Sequence, residues 1–173
     1  MSELSTFNKL TEKDLNDKLL ELLNLQIKNK KKVYVAGPWF DKSAEIFYSA
    51  VENICNEYKN KYEFYFPRNY QLSTPMDTYL ANCAHIDLAD IILVLIPRKD
   101  VGTAYEIGYA VAKNKQIALV GYDETDFNSG TNIMLACCTP RCISINQLRN
   151  YLDGKLKTSD FINVHVDSWE GKE

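Results

Sequence analysis

The segment Asp100-Val-Gly-Thr-Ala-Tyr-Glu106 sets two carboxylates around what reads as a helix start. Gly102 allows a tight turn there, and Thr103 is a residue type that caps helices. Two readings of Glu106 follow. Counted from Thr103, it stands at N3, where a glutamate closes a capping box. Alternatively it points into a cleft while Asp100 holds a ligand hydroxyl. Two carboxylates crowded at the edge of a strand are costly unless one is put to use on a ligand.

A second candidate region is Ala36-Gly37-Pro38-Trp39-Phe40. With one glycine it is no dinucleotide fingerprint, and it has no Walker lysine. Its aromatic residues suggest a flat ligand such as a nucleobase. The plainer alternative is a hydrophobic rim. Tyr34, just upstream, is either a core tyrosine or one whose hydroxyl rests beside a neighbouring loop. Cys137, Cys138 and Cys142 cluster, but with no CxxC pair and no nearby histidine they read as thiols in a reducing cytoplasm rather than a zinc site.

The elements that must carry these residues alternate. Apolar runs at Val33–Ala36, Tyr62–Phe66, Ile91–Ile96, Gln116–Val120 and Cys142–Ile145 read as strands. Helical patterns fall between them, from Asp41 through Cys55, over Met76–Leu88, over Ala104–Lys113, near Asn132–Cys137 and over Asn146–Leu152. Ile91–Ile96 is apolar throughout, as a central parallel strand buried on both faces must be. The expectation is an α/β fold, a doubly wound, flavodoxin- or Rossmann-like five-stranded parallel sheet with helices on both faces. Such sheets bind ligands beyond the C-terminal ends of their strands, where the strand order reverses. Loops after Ala36, Phe66 and Ile96 should therefore wall the site.

Residues 1–31 form a separate element. Leu15, Leu19, Leu22, Leu23 and Ile27 recur at helical spacing, and a lysine run follows, so an amphipathic helical extension is expected. The 173 residues, 46% hydrophobic and 25% charged, exclude a wholly disordered chain. A net charge of −3 gives no footprint for a nucleic acid polymer. No apolar run is long enough to span a bilayer, and no secretory signal is visible. The chain reads as cytoplasmic.

VYVAGPWF, the strand IILVLIP after Ala89-Asp90, and DVGTAYEIGYA together resemble the nucleoside 2-deoxyribosyltransferases. The resemblance runs from Lys32 to the end, making 32–173 the catalytic domain. It implies an enzyme that moves a 2-deoxyribosyl group between nucleobases in salvage, with no cofactor and no metal. Glu106 matches the nucleophile that attacks the anomeric carbon, Asp100 the carboxylate that holds the sugar hydroxyls, and Tyr34 the tyrosine that positions the nucleophile. Trp39 and Phe40 match the aromatic wall beside Gly37, and Gln71 matches a base-contacting glutamine. Asn132 matches an asparagine that reaches the neighbouring subunit's site and binds the sugar, with Met134 beside it. The implied partners are deoxyribonucleosides, free nucleobases and a second copy of the chain, in a dimer or larger homo-oligomer with shared active sites.

One position departs from the family. Where an aspartate usually protonates the leaving base, this chain has Asn82, and an amide cannot supply a proton at neutral pH. Asn82 is expected to contact the base; His85 and Asp87 are the other groups that could supply the acid. The tail Asp167–Glu173 lacks the tyrosine with which family tails often end. Two alternatives stand beside transfer: an N-glycosidase acting on deoxynucleosides or their monophosphates, and a non-catalytic nucleoside-binding module. Related monophosphate hydrolases tend to carry a serine where Asn132 stands, which favours a free 5′-hydroxyl, although Arg68 and Lys99 lie near the expected site.

Overall fold

Five strands form one all-parallel sheet: β1 (Lys31–Ala36), β2 (Tyr62–Tyr65), β3 (Ile91–Leu95), β4 (Gln116–Gly121) and β5 (Cys142–Ser144). Their order is β2-β1-β3-β4-β5, so the winding reverses between β1 and β3. The computed structural model describes residues 30–38, 42, 45–70, 72–96, 100–128, 134, 138 and 141–164. The chain divides into two compact units, Met1–Lys30 and Lys31–Glu173. The helix expected around Leu15–Ile27 lies outside the described residues, as does most of that expected near Asn132–Cys137.

Strand alternation sends side chains to two cores. Val33, Val35, Leu93, Leu95, Ala118 and Val120 face one side, where they meet α1 (Glu45–Glu57) through Phe47, Tyr48, Val51 and Ile54. Tyr34, Ala36, Ile92, Val94, Ile117 and Leu119 face the other. There they meet α2 (Pro75–Leu88) through Ile86, and α3 (Val101–Ala112) through Ile107 and Ala110. All of β3 is buried, which explains its unbroken apolar sequence. A single-turn helix α4 (Thr125–Asn128) and a C-terminal α5 (Leu148–Asp153) complete the wrap, with Leu148, Tyr151 and Leu152 of α5 joining the α1 side. The doubly wound expectation therefore holds, with the sheet covered on both faces. Among the described residues, no helix is long and apolar enough to cross a membrane.

Two helix starts position the site. Thr74 caps α2: its Oγ1 accepts from Asp77 N at 3.1 Å, and Pro75 takes the first turn, where a missing N–H costs nothing. The third helix begins three residues earlier than its sequence suggests. Asp100, not Thr103, is its cap: Asp100 Oδ2 accepts from Thr103 N at 2.7 Å and from Thr103 Oγ1 at 3.0 Å. Both residue types cap helices, but a carboxylate also gains from the positive end of the helix dipole. Glu106 is consequently well inside the helix and closes no capping box. Gly102 gives this cap its room, since a Cβ there would lie 3.1 Å from Asp100 Oδ2.

Candidate functional site

At the switch in strand order, Tyr34 of β1 and Glu106 of α3 meet. The Tyr34 hydroxyl donates to Glu106 Oε1 at 2.5 Å. The tyrosine ring is fully buried in the sheet, so the hydroxyl is held without a flexible tether. Burial pushes the Glu106 carboxyl up to about 7; the Tyr34 hydrogen bond pulls it down, and the Asp100 charge adds to the rise. Burial and the neighbouring carboxylate push the Tyr34 hydroxyl up as well, so it stays a proton donor. The result is a poorly solvated carboxylate, half ionised at neutral pH, aimed by one short hydrogen bond. Such a group can attack an electrophilic carbon or exchange a proton.

Glu106 opens into a cavity of about 550 Å³. That is the size of small-molecule sites generally. One wall is the face of α2 carrying Thr78, Tyr79, Asn82, Cys83 and Ile86; the other is the start of α3, with Gly102, Tyr105 and Glu106. Leu72 to Pro75 close one end. Of that α2 face only Ile86 is buried in the core. The rest of the stripe is available to a ligand. Asn82 shares this cavity with Glu106, and its Oδ1 accepts from the Tyr65 hydroxyl at 3.2 Å. Asp100, six residues before Glu106, is near enough for its charge to act on that carboxyl but does not itself line the cavity. Its Oδ2 serves the helix cap, and among the described residues no protein donor is recorded for Oδ1.

The other residues singled out from sequence fall differently. Gly37 sits at the end of β1, where a Cβ would come within 3.2 Å of Leu95 Cβ; close packing of β1 on β3 accounts for it, and it is not part of the cavity lining. Met134 is 75% exposed and does not line the cavity of its own chain. Trp39, Phe40, Gln71 and Asn132 lie outside the described residues, as does Lys99. Neither alternative acid is at the site. His85 packs its ring on Tyr65, with centroids 3.6 Å apart, and lines a separate cavity of about 300 Å³. Asp87 accepts from the Tyr109 hydroxyl at 3.1 Å and pairs with Lys113 at 3.0 Å, away from the cavity. One turn along α2 from Asn82, His85 lies against the Tyr65 ring and does not line the Glu106 cavity. Arg68 is engaged with Glu45 and Glu52.

Sequence reasoning did not single out Tyr79 and Tyr105. Their hydroxyls lie 2.8 Å apart on opposite walls of the cavity, and the Tyr105 hydroxyl and Cys83 together raise the Tyr79 pKa. The signal was present: Tyr79, Asn82, Cys83 and Ile86 fall at i, i+3, i+4 and i+7, one helix face. The cysteines carry no such signal. Burial pushes the Cys55 and Cys142 thiols up to about 12, leaving them unreactive.

A family model for nucleoside 2-deoxyribosyltransferase matches residues 33–162. No curated protein matches the chain. Among solved structures, a 2-deoxyribosyltransferase from the psychrotolerant bacterium Bacillus psychrosaccharolyticus aligns with a TM-score of 0.62 at 21% identity, covering 78% of this chain and 99% of that one. A conserved protein from Enterococcus faecalis V583 aligns with a TM-score of 0.60 at 21% identity, over 73% of this chain and 99% of that one. A CMP N-glycosidase from Clostridium botulinum aligns with a TM-score of 0.51 at 19% identity, over 72% and 97%. At these identities the likeness is one of fold.

Proposed function

The chain belongs to the nucleoside 2-deoxyribosyltransferase family, and from that premise we propose that it transfers a 2-deoxyribosyl group from one nucleobase to another through a covalent deoxyribosyl–Glu106 intermediate. The observation that carries this reading is the 2.5 Å hydrogen bond from the buried Tyr34 to a half-buried, cavity-facing Glu106. A glutamate needed only for the fold would gain nothing from burial that raises its pKa.

Breaking an N-glycosidic bond builds positive charge on the sugar ring. A carboxylate beside the anomeric carbon stabilises that charge and then bonds to the carbon, splitting one hard step into two. The bond from C1′ to the base nitrogen breaks as the bond from C1′ to a Glu106 oxygen forms. A second base, giving up its ring N–H proton to solvent, then attacks C1′ from the face the first one left, displacing Glu106 with net retention. Tyr34 aims the carboxylate and keeps it partly ionised. Asp100 supplies Oδ1 to a sugar hydroxyl while Oδ2 holds the helix start. Asn82 contacts the base by hydrogen bonding and donates no proton. Trp39, Phe40 and Gln71 belong to the base side of the same site in this reading. Asn132 and Met134 come from a neighbouring chain in a homo-oligomer, a role that fits the exposure of Met134. The reaction belongs to nucleobase salvage in the cytoplasm.

Hydrolysis is the competing outcome, and transfer wins when the acceptor base fills the cavity and keeps water from C1′. Engagement of Arg68 by two glutamates argues against a phosphate-bearing substrate. The test is base exchange. The chain is incubated with a deoxynucleoside and a different free base, and the products are separated by chromatography. A new deoxynucleoside is expected. Free deoxyribose alone would replace transfer with hydrolysis, and no turnover with any purine or pyrimidine donor would leave a binding module.

A further inference from the structure

We propose that Tyr65 is a positioning residue that fixes which end of the Asn82 amide faces the cavity, so that the chain selects nucleobases carrying a hydrogen-bond acceptor next to the glycosidic nitrogen. The inference rests on the cavity beside Glu106 being the base site.

An asparagine side chain ends in an acceptor and a donor that are nearly the same shape, and its neighbours decide which way each points. Here Asn82 Oδ1 accepts from Tyr65 at 3.2 Å. Tyr65 does not line the Glu106 cavity; it lines the smaller one behind it. The amide oxygen is thus engaged by Tyr65, and the NH₂ end is left for a ligand. The Tyr65 hydroxyl is well braced. Its ring stacks on Tyr34 at 5.5 Å, on Tyr70 at 4.6 Å and on His85 at 3.6 Å between centroids, all nearly parallel. Among the described residues, no acceptor is recorded for Asn82 Nδ2.

A donor fixed in this place recognises N3 or N7 of a purine, or O2 of a pyrimidine. Each becomes more negative as the base departs with the bonding electrons. The hydrogen bond from Asn82 strengthens along that path, which is how a group that cannot protonate the base still helps it leave. The base takes its proton from solvent after departure.

The test is calorimetric titration of wild type, Tyr65→Phe and Asn82→Leu with adenine, 3-deazaadenine and 7-deazaadenine, and with cytosine and 2-thiocytosine, whose sulfur is the poorer acceptor. In wild type, at least one analogue is expected to bind about fivefold more weakly than its parent, the worth of one hydrogen bond. In Tyr65→Phe the preference is expected to shrink to about twofold or less, because the amide is free to turn. In Asn82→Leu it should vanish, which keeps the test decisive if Tyr65→Phe folds poorly. Equal binding of every parent and analogue by wild type, no binding of any base, or an undiminished preference in either variant would overturn the proposal. Base exchange is measured alongside. Selective binding without exchange would sink the transfer reading and leave this one standing; exchange without selectivity would do the reverse.

Discussion

Replacing Tyr34 by phenylalanine removes one oxygen and leaves the ring that fills the sheet. The lost contact is the 2.5 Å hydrogen bond to Glu106 Oε1. That bond is one of the influences setting the carboxyl at about 7, and it acts downward against burial and the Asp100 charge. A hydrogen bond to a charged group contributes about 1.5–3 kcal/mol. At about 1.4 kcal/mol per pKa unit, its loss raises Glu106 by about one to two units. The attacking group is the ionised form, so activity rises with pH through this pKa. At neutral pH the ionised fraction falls from about half to between about 1 and 10%, and kcat/KM falls with it by about five- to fiftyfold. Initial rates of base exchange from mildly acidic to alkaline pH are the assay. The acid limb of the Tyr34→Phe variant is expected to move toward alkaline pH, with activity largely recovered there. A profile lowered at every pH with its limb unmoved would mean that Tyr34 acts by shape alone. An unchanged profile would remove it from the site.

Three further outcomes follow from the same geometry. The folded-state pKa of Glu106, about 7, lies above its ordinary 4.5, so the folded chain binds more protons between those values and loses stability as pH rises through them. Glu106→Gln is therefore expected to be inactive yet more stable than wild type in mild alkali, by up to about 3 kcal/mol, with the gap closing in acid; melting midpoints against pH show it, and a pH-independent gap would contradict it. Asn82→Asp restores a group able to carry a proton, and should speed departure of poor leaving bases about tenfold or more while adding an alkaline limb to the rate profile; an unchanged profile would show that the proton does not pass through position 82. Asp100→Ser keeps a helix cap and should melt near wild type while raising KM for the deoxynucleoside, whereas Asp100→Ala should also lose about 1 kcal/mol of stability; equal melting of the two variants would detach Asp100 from the cap.

Much of this was legible in the chain because it is local. An apolar run with no polar interruption, Ile91–Leu95, has few homes besides the middle of a parallel sheet, and it is buried at every position. The spacing of Asp100 and Glu106 likewise made that loop a candidate site, with a capping box as the other reading. What escaped depended on partners far apart in sequence. Asp100 and Thr103 are both cap residues, and only the folded loop reveals that the carboxylate wins, which moves the helix start and takes Glu106 out of a capping box. His85 shares a helix turn with Asn82, but the ring of Tyr65, on an edge strand, stands in its way. Tyr65 itself reads as an ordinary strand aromatic, because its hydrogen bond to Asn82 spans 17 residues. Tyr79 and Tyr105 meet across 26 residues for the same reason.

The covalent intermediate is the central claim, and mass spectrometry reaches it directly. The chain is mixed with a deoxynucleoside donor without acceptor base, quenched in acid, and digested. The peptide containing Glu106 is expected to carry one added deoxyribosyl group, which disappears when a second base is supplied before the quench and is absent from Glu106→Gln. Efficient base exchange with that peptide unmodified at every time point, or with the label on another residue, would contradict the account.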